Sequence, residues 1–246
     1  MNTKDVLVAL SHKHNGDWER TLKAIKAHET LTEEEAEALL GYEDAVTILE
    51  DEYPNSLRQS PKPPFVVYCH GDKSLLQASD SLTIIGSKAM KGHDMRFAKP
   101  FFENMKKKRI FVIKATNWYL AKAAMDCGHK VILVLGNGFD QCYPSDSKET
   151  VSRVVSGGGL VVSEYPNGVM PKPEHFVNLN RILTSLSKAT LVLSAQSHSG
   201  TLISVAYALN MGKDVYVVPD PFEPNNQSNR LVEEGAAPLA VDTEII

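Results

Sequence analysis

The stretch Thr190-Leu-Val-Leu-Ser-Ala-Gln-Ser-His-Ser-Gly-Thr-Leu-Ile-Ser-Val-Ala-Tyr-Ala-Leu-Asn-Met-Gly212, continued by Lys213-Asp-Val-Tyr-Val-Val-Pro219, narrows the possible folds of this chain most. Residues 190–193 are β-branched and aliphatic, the pattern of a strand buried on both faces. A polar turn over 194–199 follows. From Gly200 and Thr201 onward Leu202, Val205, Ala206 and Leu209 recur at three- and four-residue steps, and Gly212 stops the helix they predict. Residues 215–218 form a second buried strand. Strand, turn, helix and strand make a βαβ unit, so the two strands are expected to be parallel neighbours. The turn then lies at the carboxyl end of a strand and faces a helix N-terminus. There the unpaired N–H groups of Ser199, Gly200, Thr201 and Leu202 favour an anion. The plainer alternative is an ordinary unit whose Ser and Thr do no more than cap a helix.

Upstream, strands and helices alternate. Strands are predicted at 65–69, 82–85, 110–113, 131–135 and 160–162, with helical patterns at 95–107, 119–127, 147–155 and 179–186. Such alternation specifies an α/β fold, a Rossmann-like, doubly wound, mostly parallel sheet with helices on both faces. Residues 1–52 read as a small helical N-terminal region and 53–246 as the main domain. In the former, Trp18, Leu22 and Ile25 share one helical face, Thr32 and Glu35 form a capping box, and residues 43–50 offer one or two further helical turns. The region serves either as a docking appendage or, the favoured reading, as a helical lid on the main core.

A length of 246 residues fits one large domain or one with a small appendage, and no apolar run approaches the ~20 residues of a membrane span. Met1-Asn-Thr-Lys-Asp lacks the basic start and apolar stretch of a signal peptide, so a cytoplasmic protein is expected. Cys69, Cys127 and Cys142 show no CxxC spacing and read as reduced thiols rather than metal ligands. No metal and no cofactor is implied. A net charge of -4 excludes a protein coated in basic charge, so any nucleic-acid binding must come from a local patch.

The series Tyr53-Pro54, Gly86-Ser87-Lys88, Leu135-Gly-Asn-Gly-Phe-Asp140, Tyr143-Pro144, Ser163-Glu164-Tyr-Pro166, Phe176-Val-Asn-Leu-Asn-Arg181, Ser199-Gly-Thr-Leu202 and Gly235-Ala236 resembles the DNA-processing protein A (DprA, or Smf) family, in family order and with nearly family spacing. The resemblance implies a Rossmann-like protein that binds single-stranded DNA and loads RecA onto it in transformation and recombination, usually as a homodimer. More distantly, the fold is similar to the lysine-decarboxylase-like LOG group, which cleaves nucleoside monophosphates. There a glutamate acts where this chain has Ser204, so the enzyme reading loses its acid. A third reading keeps the Gly200 turn for a small anionic ligand, as a nucleotide-sensing module.

Departures from the DprA pattern locate the chemistry. Lys88 replaces the usual arginine and keeps the charge without the bidentate fork. A glycine-containing loop is reduced to Lys114-Ala-Thr-Asn117, from which a backbone phosphate nest is hard to build. Asn180 and Arg181 survive from a longer arginine-rich signature. The expected DNA- or phosphate-binding set is therefore Gly86, Ser87, Lys88, Lys114, Asn180, Arg181, Ser199, Gly200 and Thr201. His175 and Phe176 offer stacking to a base, and Glu164 is expected to organise its turn by accepting backbone N–H bonds. The run 106–109 (Lys-Lys-Lys-Arg) reads as a solvated helix end. No catalytic residue is assigned.

Overall fold

A computed structural model describes residues 2–37, 44–86, 92–197 and 199–245. Three helices open the chain, α1 (Thr3–Lys13), α2 (Trp18–Lys26) and α3 (Glu33–Glu37), and lead to strand β1 (Ala45–Thr47). After α4 (Asn55–Arg58) the alternation begins: β2 (Val66–Gly71), β3 (Ser81–Ile85), α5 (Gly92–Asn104), β4 (Ile110–Lys114), α6 (Trp118–Asp126), β5 (Lys130–Leu135), α7 (Ser147–Ser156), β6 (Leu160–Ser163) and α8 (Pro173–Ser185). The unit that dominates the sequence follows as β7 (Ala189–Val192), α9 (Gly200–Asn210) and β8 (Asp214–Val217), ahead of α10 (Gln227–Glu233) and β9 (Ala237–Pro238).

The described strands form one nine-stranded sheet in the order β1-β2-β6-β5-β4-β3-β7-β8-β9. Every pairing from β6 across to β9 is parallel, while β1 and β2 pair antiparallel with their neighbours. The parallel strands are hydrophobic on both faces because helices cover both. Along β5, Ile132 and Val134 enter one core, with Leu179, Ile182 and Leu183 of α8 and Val205 of α9. Leu133 and Leu135 enter the other, with Phe101 and Phe102 of α5 and Leu120 of α6. Burying each such side chain contributes about 1.5–3 kcal/mol, which fixes the register of every strand. Gly212, at φ +65°, ends α9 as its sequence position predicts.

The helical turns expected over 43–50 are replaced by β1. Ala45, Val46 and Thr47 pair with Tyr68, Val67 and Val66, and all three are buried. A helix of one or two turns nucleates at a loss, whereas two β-branched residues beside an open sheet edge gain a ladder and a core. The 1–52 region thus supplies a strand to the main sheet. Its helices also lie on that strand, since Leu7 and Val8 of α1 pack with Ala45, Val66 and Tyr68. The capping box is present: Thr32 N–H donates to Glu35 (2.8 Å) and Glu35 N–H to Thr32 Oγ1 (3.2 Å).

Candidate nucleic-acid interface

From β3 the chain winds outward through β4, β5 and β6, then returns to place β7 on the other side of β3. The winding direction reverses between β3 and β7, and open α/β sheets bind ligands at the carboxyl ends of the strands at this point. Ile85 pairs with Val192 at the ends of these two strands. Gly86 therefore leaves β3 beside the turn that leads from β7 to α9. Ser87 and Lys88, expected at the same crevice, lie outside the described residues.

Ser199 takes the N-cap position of α9 with extended backbone (φ -96°, ψ 158°), yet its side chain makes no capping bond. Its Oγ is buried and has no hydrogen-bond partner among the described residues. Capping alone thus does not explain this serine. Two of the N–H groups expected to be open are not: that of Ser199 donates to the Gln196 carbonyl (3.3 Å) and that of Leu202 to the Ser199 carbonyl (3.1 Å), which leaves those of Gly200 and Thr201 without an acceptor among the described residues. Gly200 is exposed, and a Cβ there would meet nothing within 4 Å, so a phosphate can approach its backbone. Thr201 is buried.

Lys114 ends β4, one strand from β3, and is only 9% exposed. The shortened loop behind it is a single 3-10 turn (Ala115–Asn117) that runs directly into α6, with no residue at positive φ. At the next strand end Tyr143 packs its ring 5.3 Å from Phe176, and Tyr143 is 43% exposed.

Asn180 and Arg181 are not at the surface of this edge. Asn180 is 1% exposed; its Nδ2 donates to the carbonyls of Phe176 (2.7 Å) and Val177 (3.0 Å), and its Oδ1 accepts from Ser204 (2.6 Å), tying α8 to α9. Ser204, fully buried, is committed to that bond. Arg181 is 4% exposed and makes a fork with Glu164: Nη1 to Oε1 at 2.9 Å and Nη2 to Oε2 at 2.5 Å. Nε donates to the Lys62 carbonyl (2.8 Å) and Nη1 also to that of Asn178 (2.8 Å). Burial works against this guanidinium charge, but the Glu164 carboxylate outweighs it and raises the pKa. The sequence expectation of a DNA-facing cation is corrected at Arg181, because a buried charge must be paired. Glu164 is corrected with it. It serves Arg181, while Ser163 Oγ accepts the Tyr165 N–H (3.0 Å).

Among the described residues no group of three or more His, Cys, Asp or Glu is placed to hold a metal, and no helix is long and apolar enough to cross a membrane. The cysteines are free; burial pushes the Cys69 thiol up to about 12, which makes it inert.

The sequence model of the family described as DNA recombination-mediator protein A matches residues 44–246. The chain belongs to that family. Among curated DprA/Smf relatives, Protein Smf of Escherichia coli (strain K12) is 28% identical over 200 residues, 79% of this chain and 53% of the relative. DNA processing protein DprA of Streptococcus pneumoniae is 28% identical over 195 residues, 77% of this chain and 68% of the relative. The chain thus spans about half the length of the Escherichia coli protein. The X-ray structure of the Streptococcus pneumoniae DprA superposes with a TM-score of 0.80 at 23% identity, covering 98% of this chain and 91% of that one. The Helicobacter pylori DprA, described as having a unique single-stranded DNA binding mode, superposes with a TM-score of 0.65 at 24% identity over 79% of this chain and 90% of its own. The Rossmann-like DprA fold is therefore shared.

Proposed function

We propose that this chain binds single-stranded DNA along the carboxyl edge of its sheet and acts as a recombination mediator in the cytoplasm, loading RecA onto the strand as a homodimer. The observation that carries this reading is the uncapped α9 N-terminus at the switch point, with Ser199 Oγ buried and unpartnered. Backbone N–H groups at a helix start bind a phosphate without needing a basic surface. This suits a chain of net charge -4. In this reading Gly86, Ser199, Gly200 and Thr201 hold one phosphate through main chain and hydroxyls. Lys88 and Lys114 neutralise its neighbours, and Tyr143 with Phe176 offers a stacking surface about three strand spacings from β7, roughly 14 Å away. Asn180 and Arg181 support that edge from beneath. RecA loading and the homodimer come from the family resemblance.

Fluorescence anisotropy with a labelled oligothymidylate and a duplex of equal length tests the reading. Single strands should bind at least about tenfold more tightly, with little sequence preference. Gly200→Glu places a carboxylate in the anion site, where the open space around Gly200 lets it fold, and should weaken binding about tenfold or more. Equal affinity for duplex and single strand, or an unchanged Gly200→Glu, refutes it. RecA ATP hydrolysis on strands precoated with single-strand-binding protein should rise when the chain is added; no rise confines the function to DNA binding.

A further inference from the structure

A second concavity of about 450 Å³ lies three strands from the switch point, between the first turn of α2 and the segment joining β6 to α8. One of its walls is His175, which is 7% exposed. Its Nδ1–H donates to the Gly136 carbonyl (2.9 Å) and its ring stacks on Tyr165 with centroids 3.8 Å apart. Burial holds its pKa below the usual value, so the ring is neutral and Nε2 is an acceptor. That nitrogen has no hydrogen-bond partner among the described residues, and it is not sealed in protein.

The same wall carries the start of α8, a helix of 13 residues. Lys172, its N-cap, is extended (φ -132°, ψ 153°) and makes no side-chain cap, and Pro173 follows. Pro173 has no N–H and the His175 N–H donates to the Lys172 carbonyl (3.0 Å), so at the start of the first turn the Glu174 N–H is the one without an acceptor among the described residues; Glu174 and Lys172 both line the cavity. Arg20 also lines the cavity, and neither cation has an ion-pair partner among the described residues. The nearby Asp17 is occupied in capping α2, accepting from the Arg20 N–H (2.9 Å). The exposed Glu174 carboxylate is beside His175 in the lining.

We propose that this cavity binds the phosphate monoester of a nucleoside, either a free nucleoside monophosphate or the 5′-phosphorylated end of a strand. The cations Lys172 and Arg20, with the Glu174 N–H, suit the phosphate. His175 Nε2 and Glu174, both acceptors, suit O–H and N–H donors of a sugar or base. Inorganic phosphate satisfies only the first half. A run of internal phosphodiesters is disfavoured by Asp17 and Glu174, and the volume is that of a small-ligand pocket.

Isothermal titration of the full chain with adenosine 5′-monophosphate and thymidine 5′-monophosphate, against adenosine and inorganic phosphate, tests the site. Both monophosphates should bind about tenfold or more tighter than either part. Lys172→Ala and Arg20→Ala, at surface side chains, should each weaken them about tenfold, and Lys107→Ala should not. His175→Phe keeps the stacked ring and removes the acceptor, and should lose affinity; if it fails to fold, the two cation variants decide. No heat at millimolar monophosphate, binding untouched by Lys172→Ala and Arg20→Ala, or adenosine binding as well as its monophosphate overturns the proposal. Oligothymidylate with and without a 5′-phosphate, competing against a fluorescent adenosine monophosphate, separates the sources. Preferential displacement by the phosphorylated strand assigns the site to strand ends, and poor displacement by both assigns it to free nucleotides. Displacement by both strands as readily as by adenosine monophosphate itself overturns it, since internal diesters would then fill the cavity.

Discussion

Arg181→Met separates a structural arginine from a DNA-binding one. Arg181 makes four hydrogen bonds, two of them to Glu164, and both side chains are about 95% buried. Methionine fills much of the volume but strands the carboxylate. Breaking a buried pair from one side costs about 3–5 kcal/mol. For a chain of this size that corresponds to a midpoint lower by about 6–20 °C, at roughly 2–4 °C per kcal/mol. The deficit should depend on pH. Burial without a partner penalises the carboxylate only in its charged form, so the penalty grows as pH rises and the variant recovers partly at pH 5 relative to pH 8. Arg181→Met combined with Glu164→Leu removes both charges and should regain at least half of the loss. Thermal and urea unfolding, both followed by circular dichroism at the two pH values, measure all of this. A loss below about 1 kcal/mol, together with a tenfold fall in single-strand affinity, would falsify the assignment and return the guanidinium to the DNA.

Three further outcomes are expected. On the proposed reading two lysines, Lys88 and Lys114, neutralise phosphates, so log affinity against log salt should have a slope of about -1.4, flattened by about 0.7 in Lys88→Ala; a slope steeper than about -3 would place the strand elsewhere. His129 accepts the Arg109 N–H at Nδ1 (3.1 Å) and donates from Nε2 to the Phe102 carbonyl (2.9 Å), and burial lowers its pKa as it does that of His175. The unfolded chain then binds more protons just below the ordinary histidine value of 6.5, so stability should fall as pH drops through that range, and equal urea midpoints at pH 7.5 and 5.5 would contradict it. Gly16, at φ +71°, would put a Cβ 2.5 Å from the Glu164 carbonyl oxygen, so Gly16→Ala should cost about 1–3 kcal/mol and raise proteolysis of the N-terminal helices; unchanged digestion would show that this contact is dispensable.

The parallel sheet was legible because its strands are short runs of Val, Ile and Leu separated by helices with clear periodicity. The predicted unit over 190–218 matches β7, α9 and β8 to within a residue or two. The antiparallel edge was not legible. Ala45-Val-Thr47 is too short to show alternation, and its antiparallel pairing with Val66–Gly71, a strand expected at 65–69, is set by packing. The placement of Gly86, Ser199, Gly200 and Thr201 beside the switch point was legible because a strand-turn-helix boundary fixes where such residues go. Arg181 misled because a sequence shows a charge but not its burial. Its partner Glu164 lies 17 positions away on another element. The neutral His175 of the second cavity was missed as an acceptor for a related reason: its orientation depends on the Gly136 carbonyl, 39 positions away.

The two ends of the sheet carry a consequence for assembly. β1 is three residues long and covered by α1, and β9 is two residues long and includes Pro238, which has no N–H to offer. Sheet edges recruit other chains through rows of free backbone groups, and these edges offer almost none. Two copies therefore cannot join by extending one sheet into another. Any stable self-association has to be made by side chains on helical or loop surfaces, where it is sensitive to point substitution and can change without disturbing the strands of the sheet.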